Sequence, residues 1–282
     1  MSERYFRGAK GDYRETNMTD NLFTVQSDGA VARICLNRPE RRNALTRQMI
    51  VGIAKQVSDL AADPAVRLIE IAAEGTVFCA GMDLGEMQQR AEQAGPNDWL
   101  EDSEVYRDLL LAILKAPKPV VGIIQGPALA GGVGIALACD IVIAAEDAFF
   151  ALPEPQRGIA ASMVTPLLLR KVGTGHAGHL LISGQRVAAA KLESWGICQL
   201  VTSREQLDET VAQWRTQILS GSPQALTQTK GQLQQFAGDI ETELSEAAKL
   251  SAKARETADA REGLAAFLEK RKPYWQNDKG NS

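Results

Sequence analysis

Apolar runs that end in glycine recur along this chain, and segments with helical spacing separate them. AVRLIEIAAEG and APKPVVGIIQG are two such runs, and both are rich in the β-branched residues that strands favour. Strands that alternate with helices indicate a mostly parallel sheet covered by helices. After Gly173 the strand signals fade, except around ICQLVTS, and amphipathic helical patterns dominate. We therefore expect a flexible polar extension over residues 1–20, an α/β core over 21–200 and a helical region over 201–282.

Shorter patterns predict individual elements. Ser27-Asp28-Gly29 separates two strand-like runs and predicts a hairpin. Thr46 precedes a segment with helical periodicity and is predicted as its N-cap. The pattern from Asp239 to Lys270 predicts amphipathic helices, the last of them long. The polar stretch between Gln88 and Trp99 predicts a mobile loop.

Composition narrows the class of protein. The net charge of −4 disfavours nucleic acid as a partner, because phosphate binding needs a basic face. The four cysteines are scattered and form no CxxC pair, which is typical of core thiols in a reducing compartment. His176 and His179 are the only histidines, and their spacing indicates no metal site. With no signal-peptide core or membrane-length apolar run, we expect a cytoplasmic protein that binds neither metal nor membrane.

The stretch GPALAGGVGIALACD, from Gly126 to Asp140, has an unusual density of glycine. Two nucleotide-binding motifs fail here. A phosphate-binding P-loop requires lysine where Gly132 stands, and a dinucleotide-binding turn requires glycine where Leu137 stands. Close packing of a strand against a helix is a purely structural explanation for these glycines.

A second glycine turn favours a functional explanation. TVFCAGMDLGEM also runs from a strand-like segment through a tight turn into a helix. Two such turns at the carboxyl ends of strands can aim two backbone N–H groups at one point, with a helix N-terminus behind them. This arrangement is an oxyanion hole, which stabilises a carbonyl oxygen as negative charge develops on it.

Several segments, taken in order, resemble one family. NRPERRNAL, FCAGMDLGEM, GPALAGGVGIALACDI, FALPEPQRGI and FLEKRKP are similar to motifs of the crotonase, or enoyl-CoA hydratase/isomerase, superfamily, over roughly residues 22 to 273. The resemblance implies a crotonase-like (ClpP/crotonase) α/β fold of repeated ββα units with a helical C-terminal trimerisation region. It implies an acyl-CoA thioester substrate and a homotrimer, or a hexamer made of two trimers. It implies no separate cofactor, since coenzyme A enters as part of the substrate.

The resemblance also carries over particular residues. By motif position, the two N–H groups of the oxyanion hole belong to Met82 and Gly131. Residues expected near the CoA moiety are Arg42, Ala44, Ala80 and Asp83. Asp83 follows the first turn, where a carboxylate also stabilises the start of a helix.

Gly134 and Glu154 indicate the type of reaction. In hydratases of the superfamily a glutamate usually occupies the position of Gly134, and a second glutamate matches Glu154. Hydration uses one group to activate water and another to deliver a proton, so a single carboxylate favours a different task. Glu154 can remove a proton from C2 of a 3-enoyl-CoA and return one at C4. Its apolar neighbours in ALPEP should raise its pKa toward the range of a general base.

Other functions stay open at this point. One is hydration of a 2-enoyl-CoA with a single carboxylate, in which another group or an ordered water replaces the second acid. Ser162 lies in a segment where it could orient water or substrate. Decarboxylation, thioester hydrolysis and C–C bond cleavage use the same oxyanion hole in this superfamily. A non-catalytic acyl-CoA-binding protein is a further alternative, although the retention of Glu154 counts against it.

Overall fold

The computed structural model describes residues 14–15, 22–91 and 96–276, which form two β-sheets and the helices around them. The strands are β1 (Arg14–Glu15), β2 (Phe23–Asp28), β3 (Val31–Leu36), β4 (Leu68–Ala73), β5 (Val120–Ile124), β6 (Ala128–Leu129), β7 (Ile141–Ala145), β8 (Phe149–Ala151), β9 (Val187–Ala188) and β10 (Leu200–Thr202). The helices are α1 (Arg47–Ala62), α2 (Leu84–Ala91), α3 (Pro96–Lys115), α4 (Gly131–Ala138), α5 (Thr165–Ser183), α6 (Ala189–Ser194), α7 (Leu207–Leu219), α8 (Pro223–Phe236), α9 (Ile240–Arg255) and α10 (Ala258–Leu268).

The larger sheet is mostly parallel, which confirms the prediction from the glycine-terminated runs. Its strand order is β1-β2-β3-β4-β5-β7-β10, and all pairs from β3 onward are parallel. Strands β2 and β3 form the predicted antiparallel hairpin around Gly29. A small second sheet, ordered β6-β8-β9, stands at the carboxyl ends of the parallel strands, because β6 follows β5 after three residues and β8 follows β7 after three.

Both faces of the large sheet are buried, as expected for parallel strands. Along β4 the side chains of Leu68, Glu70 and Ala72 face α7, while Ile69 and Ile71 face the main core. That main core includes α1 and α3, and α3 in turn packs against α9. Helix α3 therefore lies between the sheet and the C-terminal helices, which makes it a wall of the cavity described below.

A buried ion cluster fixes α7 on the sheet. Glu70 is fully buried, and it accepts hydrogen bonds from Arg33 at 2.8 Å and from Arg215 at 2.5 Å. Burial alone would raise the pKa of Glu70, but the hydrogen bond from Arg215 and the charge of Arg33 outweigh it and lower the pKa. A carboxylate that is removed from water is stable here because two guanidinium groups satisfy it.

Local signals predicted some helix ends correctly and others wrongly. The Thr46 hydroxyl accepts a hydrogen bond from the Met49 N–H and caps α1, as predicted. The prediction of a long final helix is wrong. Helix α9 ends at Arg255, and α10 begins as a separate helix because the Thr257 hydroxyl accepts a hydrogen bond from the Ala260 N–H.

The predicted mobile loop between Gln88 and Trp99 is also wrong at both of its ends. Helix α2 continues to Ala91 and α3 already begins at Pro96, while residues 92–95 lie outside the described part of the chain. Apart from strand β1, the predicted N-terminal extension over residues 1–20 also lies outside it.

All four cysteines are buried and unpaired, in agreement with the sequence. Among the described helices, none has the length and apolar character needed to cross a lipid bilayer.

Candidate active site

The two glycine turns meet at one point of the structure. Gly81 adopts φ +88°, a left-handed conformation that glycine tolerates. A Cβ atom at Gly81 would lie 2.7 Å from the Ala130 Cβ and 3.3 Å from the Gly131 nitrogen. The turn after Cys79 and the turn before α4 are therefore in direct contact, and a larger residue at position 81 would separate them.

The backbone N–H groups of Met82 and Gly131 stand on either side of this contact. Leu45 donates its N–H to the Gly81 carbonyl, and Asp83 donates to the Leu45 carbonyl, so the intervening Met82 N–H points away from that pairing. Gly131 is the first residue of α4, where an N–H has no partner within the helix. Within the described residues neither N–H donates a hydrogen bond to a protein acceptor. Both are available for a ligand oxygen, and the N-terminus of α4 adds positive partial charge.

The start of α4 is held tightly in place. Ala130 has φ 51° and ψ −122°, an unusual backbone conformation for a residue with a side chain, which costs on the order of 1–3 kcal/mol. Its N–H donates to the Ala151 carbonyl at 3.0 Å, so β8 fixes it. A Cβ at Gly132 would lie only 2.6 Å from the Cys79 carbonyl oxygen. The glycines of this segment thus let α4 approach the first turn closely, which explains their density.

Glu154 is a buried carboxyl group with an incomplete set of partners. It begins a short 3₁₀ helix, Glu154–Arg157, directly after Pro153, and is 9% exposed. Its Oε2 atom is buried and has no hydrogen-bond partner among the residues that the structure describes. Burial raises the pKa of Glu154 to about 7, against the opposing effects of a backbone hydrogen bond and the charge of Arg157. A carboxyl group with a pKa near neutrality can both accept and donate a proton at physiological pH.

These groups share one cavity, which we call the Glu154 cleft. The cleft is open to solvent. Its lining residues come from the two turns, from α2, α3 and α9, from the 3₁₀ helix Glu154–Arg157 and from the segment 159–164. Four predicted site residues are brought together in it: Ala80, Met82, Gly131 and Glu154. Among the described residues that line the cleft, Glu154 is the single carboxylate. Ser162 also lines it.

The other predicted residues lie beside the cleft rather than on its lining. Arg42 is exposed and adopts a left-handed conformation, and its carbonyl accepts the Ala80 N–H at 3.0 Å. The Ala44 carbonyl accepts a hydrogen bond from Arg38. Asp83 accepts two bonds of 3.1 Å from Arg38 and one of 3.0 Å from the Gly85 N–H. The carboxylate of Asp83 therefore fixes the first turn to the Arg38 segment and starts α2, as the helix-start interpretation predicted.

Tyr106, on α3, is a site residue that the sequence did not reveal. Its hydroxyl donates to the Gly131 carbonyl at 2.5 Å, and a Cβ at Gly134 would overlap that same hydroxyl. A glutamate at position 134 is incompatible with this placement of Tyr106. Burial raises the pKa of Tyr106 well above its ordinary value, and the nearby Cys79 and Glu154 add to the effect, so the phenol is neutral and remains a donor.

Two arginines of the lining were also missed. Arg157 packs over the Phe267 ring at 4.3 Å, and Arg42 is close enough for the two positive charges to interact. Arg255 reaches the cleft from α9. Nothing in the sequence near Tyr106 or Arg255 indicates a functional site. The two residues lie on α3 and α9, which are distant in sequence from the rest of the cleft, and only the packing of these helices brings them to it.

The chain is similar in sequence and in fold to known proteins. The family model described as enoyl-CoA hydratase/isomerase matches residues 26–278. A putative enoyl-CoA hydratase of Thermus thermophilus is 35% identical over 246 residues, which are 87% of this chain and 97% of the relative. A 2,3-dehydroadipyl-CoA hydratase of Escherichia coli is 32% identical over 88% of this chain and 96% of the relative. The crystal structure of an enoyl-CoA hydratase from Mycobacterium avium has a TM-score of 0.81 and 31% identity, covering 92% of this chain and 100% of that one.

Proposed function

The chain belongs to the enoyl-CoA hydratase/isomerase family, and we propose that it moves the double bond of a 3-enoyl-CoA to the 2 position, with Glu154 as the general acid and base. The observation that carries this proposal is the single carboxylate of the cleft. The position that would supply a second carboxylate is Gly134, and the Tyr106 hydroxyl fills its space.

The proposed role of the two glycine turns is to hold the thioester oxygen. The N–H groups of Met82 and Gly131 would donate to that oxygen, and their stabilisation would increase as it gains negative charge. This polarisation acidifies the C2 protons of the bound thioester. Loss of one such donor costs roughly 3–4 kcal/mol in the barrier of comparable enzymes.

Glu154 would carry the proton between the two carbon atoms. The ionised carboxylate removes a proton from C2, and the electron pair of that bond moves into a dienolate whose oxygen lies in the hole. The same carboxyl group then delivers the proton to C4, which leaves the double bond between C2 and C3. A pKa of about 7 suits this exchange because neither protonation state is strongly favoured at neutral pH.

The remaining proposed contacts concern the CoA moiety and require no additional cofactor. Arg42 and Ala44 would lie along CoA on one side of the first turn, with Ala80 and Asp83 on the turn itself. The exposed guanidinium of Arg42 offers a positive charge to a phosphate group.

We also propose that the chain forms a homotrimer or a hexamer. Large apolar side chains stand exposed on its outer helices, among them Ile182 at 81% and Phe236 at 83% exposure. Burial of such groups between subunits is favourable by about 25 cal/mol for each Å² removed from water.

Proton NMR in heavy water tests the proposed reaction on medium-length 3-enoyl- and 2-enoyl-CoA substrates. We expect the double bond to migrate, deuterium to enter at C2 or C4, and no 3-hydroxyacyl-CoA to form. Glu154→Gln should lower kcat/KM by about 10²- to 10⁴-fold, because the proton carrier is lost. The wild-type kcat/KM should rise with pH up to about 7 and then level off, since ionised Glu154 starts the reaction.

The matched control is Glu209→Gln, which removes an exposed carboxylate on α7 that is not part of the cleft. Its kinetics should equal those of the wild type. Near-full isomerase activity in Glu154→Gln contradicts the proposed role of this residue.

Hydration of a 2-enoyl-CoA is the second candidate, and the relatives that are named as hydratases favour it. In that reaction Glu154 would activate water for attack at C3, and the proton would reach C2 from the same carboxyl group or from a water beside Tyr106. Formation of a 3-hydroxyacyl-CoA from the 2-enoyl substrate in the NMR experiment selects this function over isomerisation.

A further inference from the structure

One wall of the Glu154 cleft is polar, although most of its lining is apolar. Ser103 lies on α3, and Ser251 and Arg255 lie four residues apart on α9, so all three meet where the two helices pack. Ser103 is fully buried and Ser251 is 6% exposed. The Ser103 hydroxyl donates to the Trp99 carbonyl at 2.9 Å and accepts from the Arg255 Nη1 atom at 3.4 Å.

The positive charge of Arg255 is not neutralised by a salt bridge to any described residue. Asp102 is the acidic neighbour whose charge acts on it, but Asp102 is already bound by Arg47 at 2.5 Å and by Arg90 at 2.8 Å. The Trp99 ring lies 5.7 Å from the guanidinium and gives it a cation–π contact. A guanidinium has five N–H donors, so most of its hydrogen-bonding capacity remains for a ligand.

The position of Arg255 relative to the reacting atoms follows from α3. Tyr106, whose hydroxyl contacts Gly131 beside the oxyanion hole, lies three residues after Ser103 on the same helix face. Three residues of α-helix advance about 4.5 Å along the axis. Ser103, and the Arg255 guanidinium bonded to it, are therefore displaced from Tyr106 by about one helical turn along α3, a position that the distal part of an acyl chain bound in the hole could reach.

A hydrocarbon chain is a poor neighbour for this cation, since it would shield the guanidinium from water without supplying an opposite charge. A carboxylate at the distal end of the acyl chain would accept two parallel hydrogen bonds from the guanidinium. We propose that the cleft takes acyl-CoA thioesters whose acyl group ends in a carboxylate, and that Arg255 binds this group. The inference rests on the proposed acyl-CoA function of the same cleft.

Binding of unreactive ligands tests this inference without reference to the reaction. Isothermal titration calorimetry would compare two saturated acyl-CoA thioesters of equal length, one ending in a carboxylate and one in a methyl group. We expect the carboxylated ligand to bind the wild-type protein at least about 10-fold more tightly. In Arg255→Met this preference should disappear, whereas Arg255→Lys should keep part of it as a point charge.

The matched control is Arg261→Met on α10, whose exposed guanidinium bonds to the Glu256 carbonyl and is not part of the cleft. It should retain the full preference. Equal affinities of the wild-type protein for the two ligands overturn the inference, and so does a preference that survives in Arg255→Met. Binding of neither ligand contradicts the proposed acyl-CoA function itself, and tight binding without turnover of any enoyl-CoA contradicts only the proposed reaction.

Discussion

Ionisation of Glu154 opposes folding, because its carboxyl group is buried without a full set of partners. In the folded protein the carboxyl group of Glu154 stays protonated up to about pH 7, whereas the ordinary pKa of a glutamate is 4.5. The folded state therefore binds more protons than the unfolded state between these values, and stability falls as pH rises through this window. The full loss from this one group is about 3 kcal/mol, from roughly 1.4 kcal/mol per pKa unit.

Denaturant unfolding of the wild type and of Glu154→Gln at pH 5 and pH 8 measures this effect. The variant has no carboxyl group at position 154, so its free energy of unfolding should fall less than that of the wild type between pH 5 and pH 8, by about 2.5 kcal/mol. Each difference is taken within one protein, so the cost of the amide itself cancels. Parallel pH dependences of the two proteins would show that Glu154 ionises near its ordinary pKa.

At the residue scale, local turns were easier to predict than distant side chains. Met82, Gly131 and Glu154 were predicted from short local motifs that resemble those of one family, and the structure places all three in one cleft. Their chemical roles remain predictions. Tyr106 lies 25 residues from Gly131 and reaches it only because α3 packs on α4. Such a contact depends on tertiary packing, which single-sequence patterns do not encode.

At the scale of elements, the contact between α3 and α4 depends on the absence of a side chain at Gly134. A Cβ there would overlap the Tyr106 hydroxyl, so Gly134→Ala should destabilise the protein by roughly 1–3 kcal/mol through overpacking. Tyr106→Phe removes the hydroxyl and its bond to Gly131, at a cost of about 1 kcal/mol. In the double variant the methyl group introduced at position 134 occupies the space that the hydroxyl vacates. The destabilisation of the double variant should therefore be smaller than the sum of the two single effects, by about 1 kcal/mol or more.

Denaturant unfolding of the wild type, the two single variants and the double variant gives the coupling energy between positions 106 and 134. Gly175→Ala on α5 is the control, since its Cβ would meet open space and reports only the gain in helix propensity. Strict additivity of the two changes would mean that position 134 and Tyr106 do not compete for the same volume.

Helix boundaries show why some elements were predictable and others were not. Thr46 precedes an apolar stripe, and cap and stripe together identify α1. Thr257 is also a cap, but it stands inside a continuous amphipathic pattern that masks the break between α9 and α10. Between Gln88 and Trp99 the sequence is polar and has no apolar periodicity, although glutamine and glutamate favour helix. Polarity alone therefore does not distinguish an exposed helix from a loop.

At the scale of the whole molecule, the parallel sheet was predictable because its buried strands are continuous apolar runs. The small sheet of β6, β8 and β9 was not, since strands of two or three residues leave little pattern. Yet this small sheet positions the start of α4 and with it the proposed oxyanion hole: β6 leads directly into Ala130, and β8 accepts its N–H. The decisive part of the fold is thus built from hydrogen bonds between short segments that are distant in sequence.

The outer surface of α8 tests the proposed assembly. Leu233 and Phe236 lie three residues apart on one helix face and are 67% and 83% exposed. Two large apolar groups side by side in water favour burial against another subunit. We expect sedimentation velocity to show a trimer or a hexamer for the wild type. The double variant Leu233→Glu with Phe236→Glu should shift the protein toward smaller species.

The control is Gln228→Glu with Gln232→Glu, which adds the same charge to α8 without removing apolar surface. This control should form a larger assembly than the variant that lacks Leu233 and Phe236. A wild-type monomer at micromolar concentration would contradict the proposed oligomer, and an unchanged assembly in the apolar variant would place the interface elsewhere.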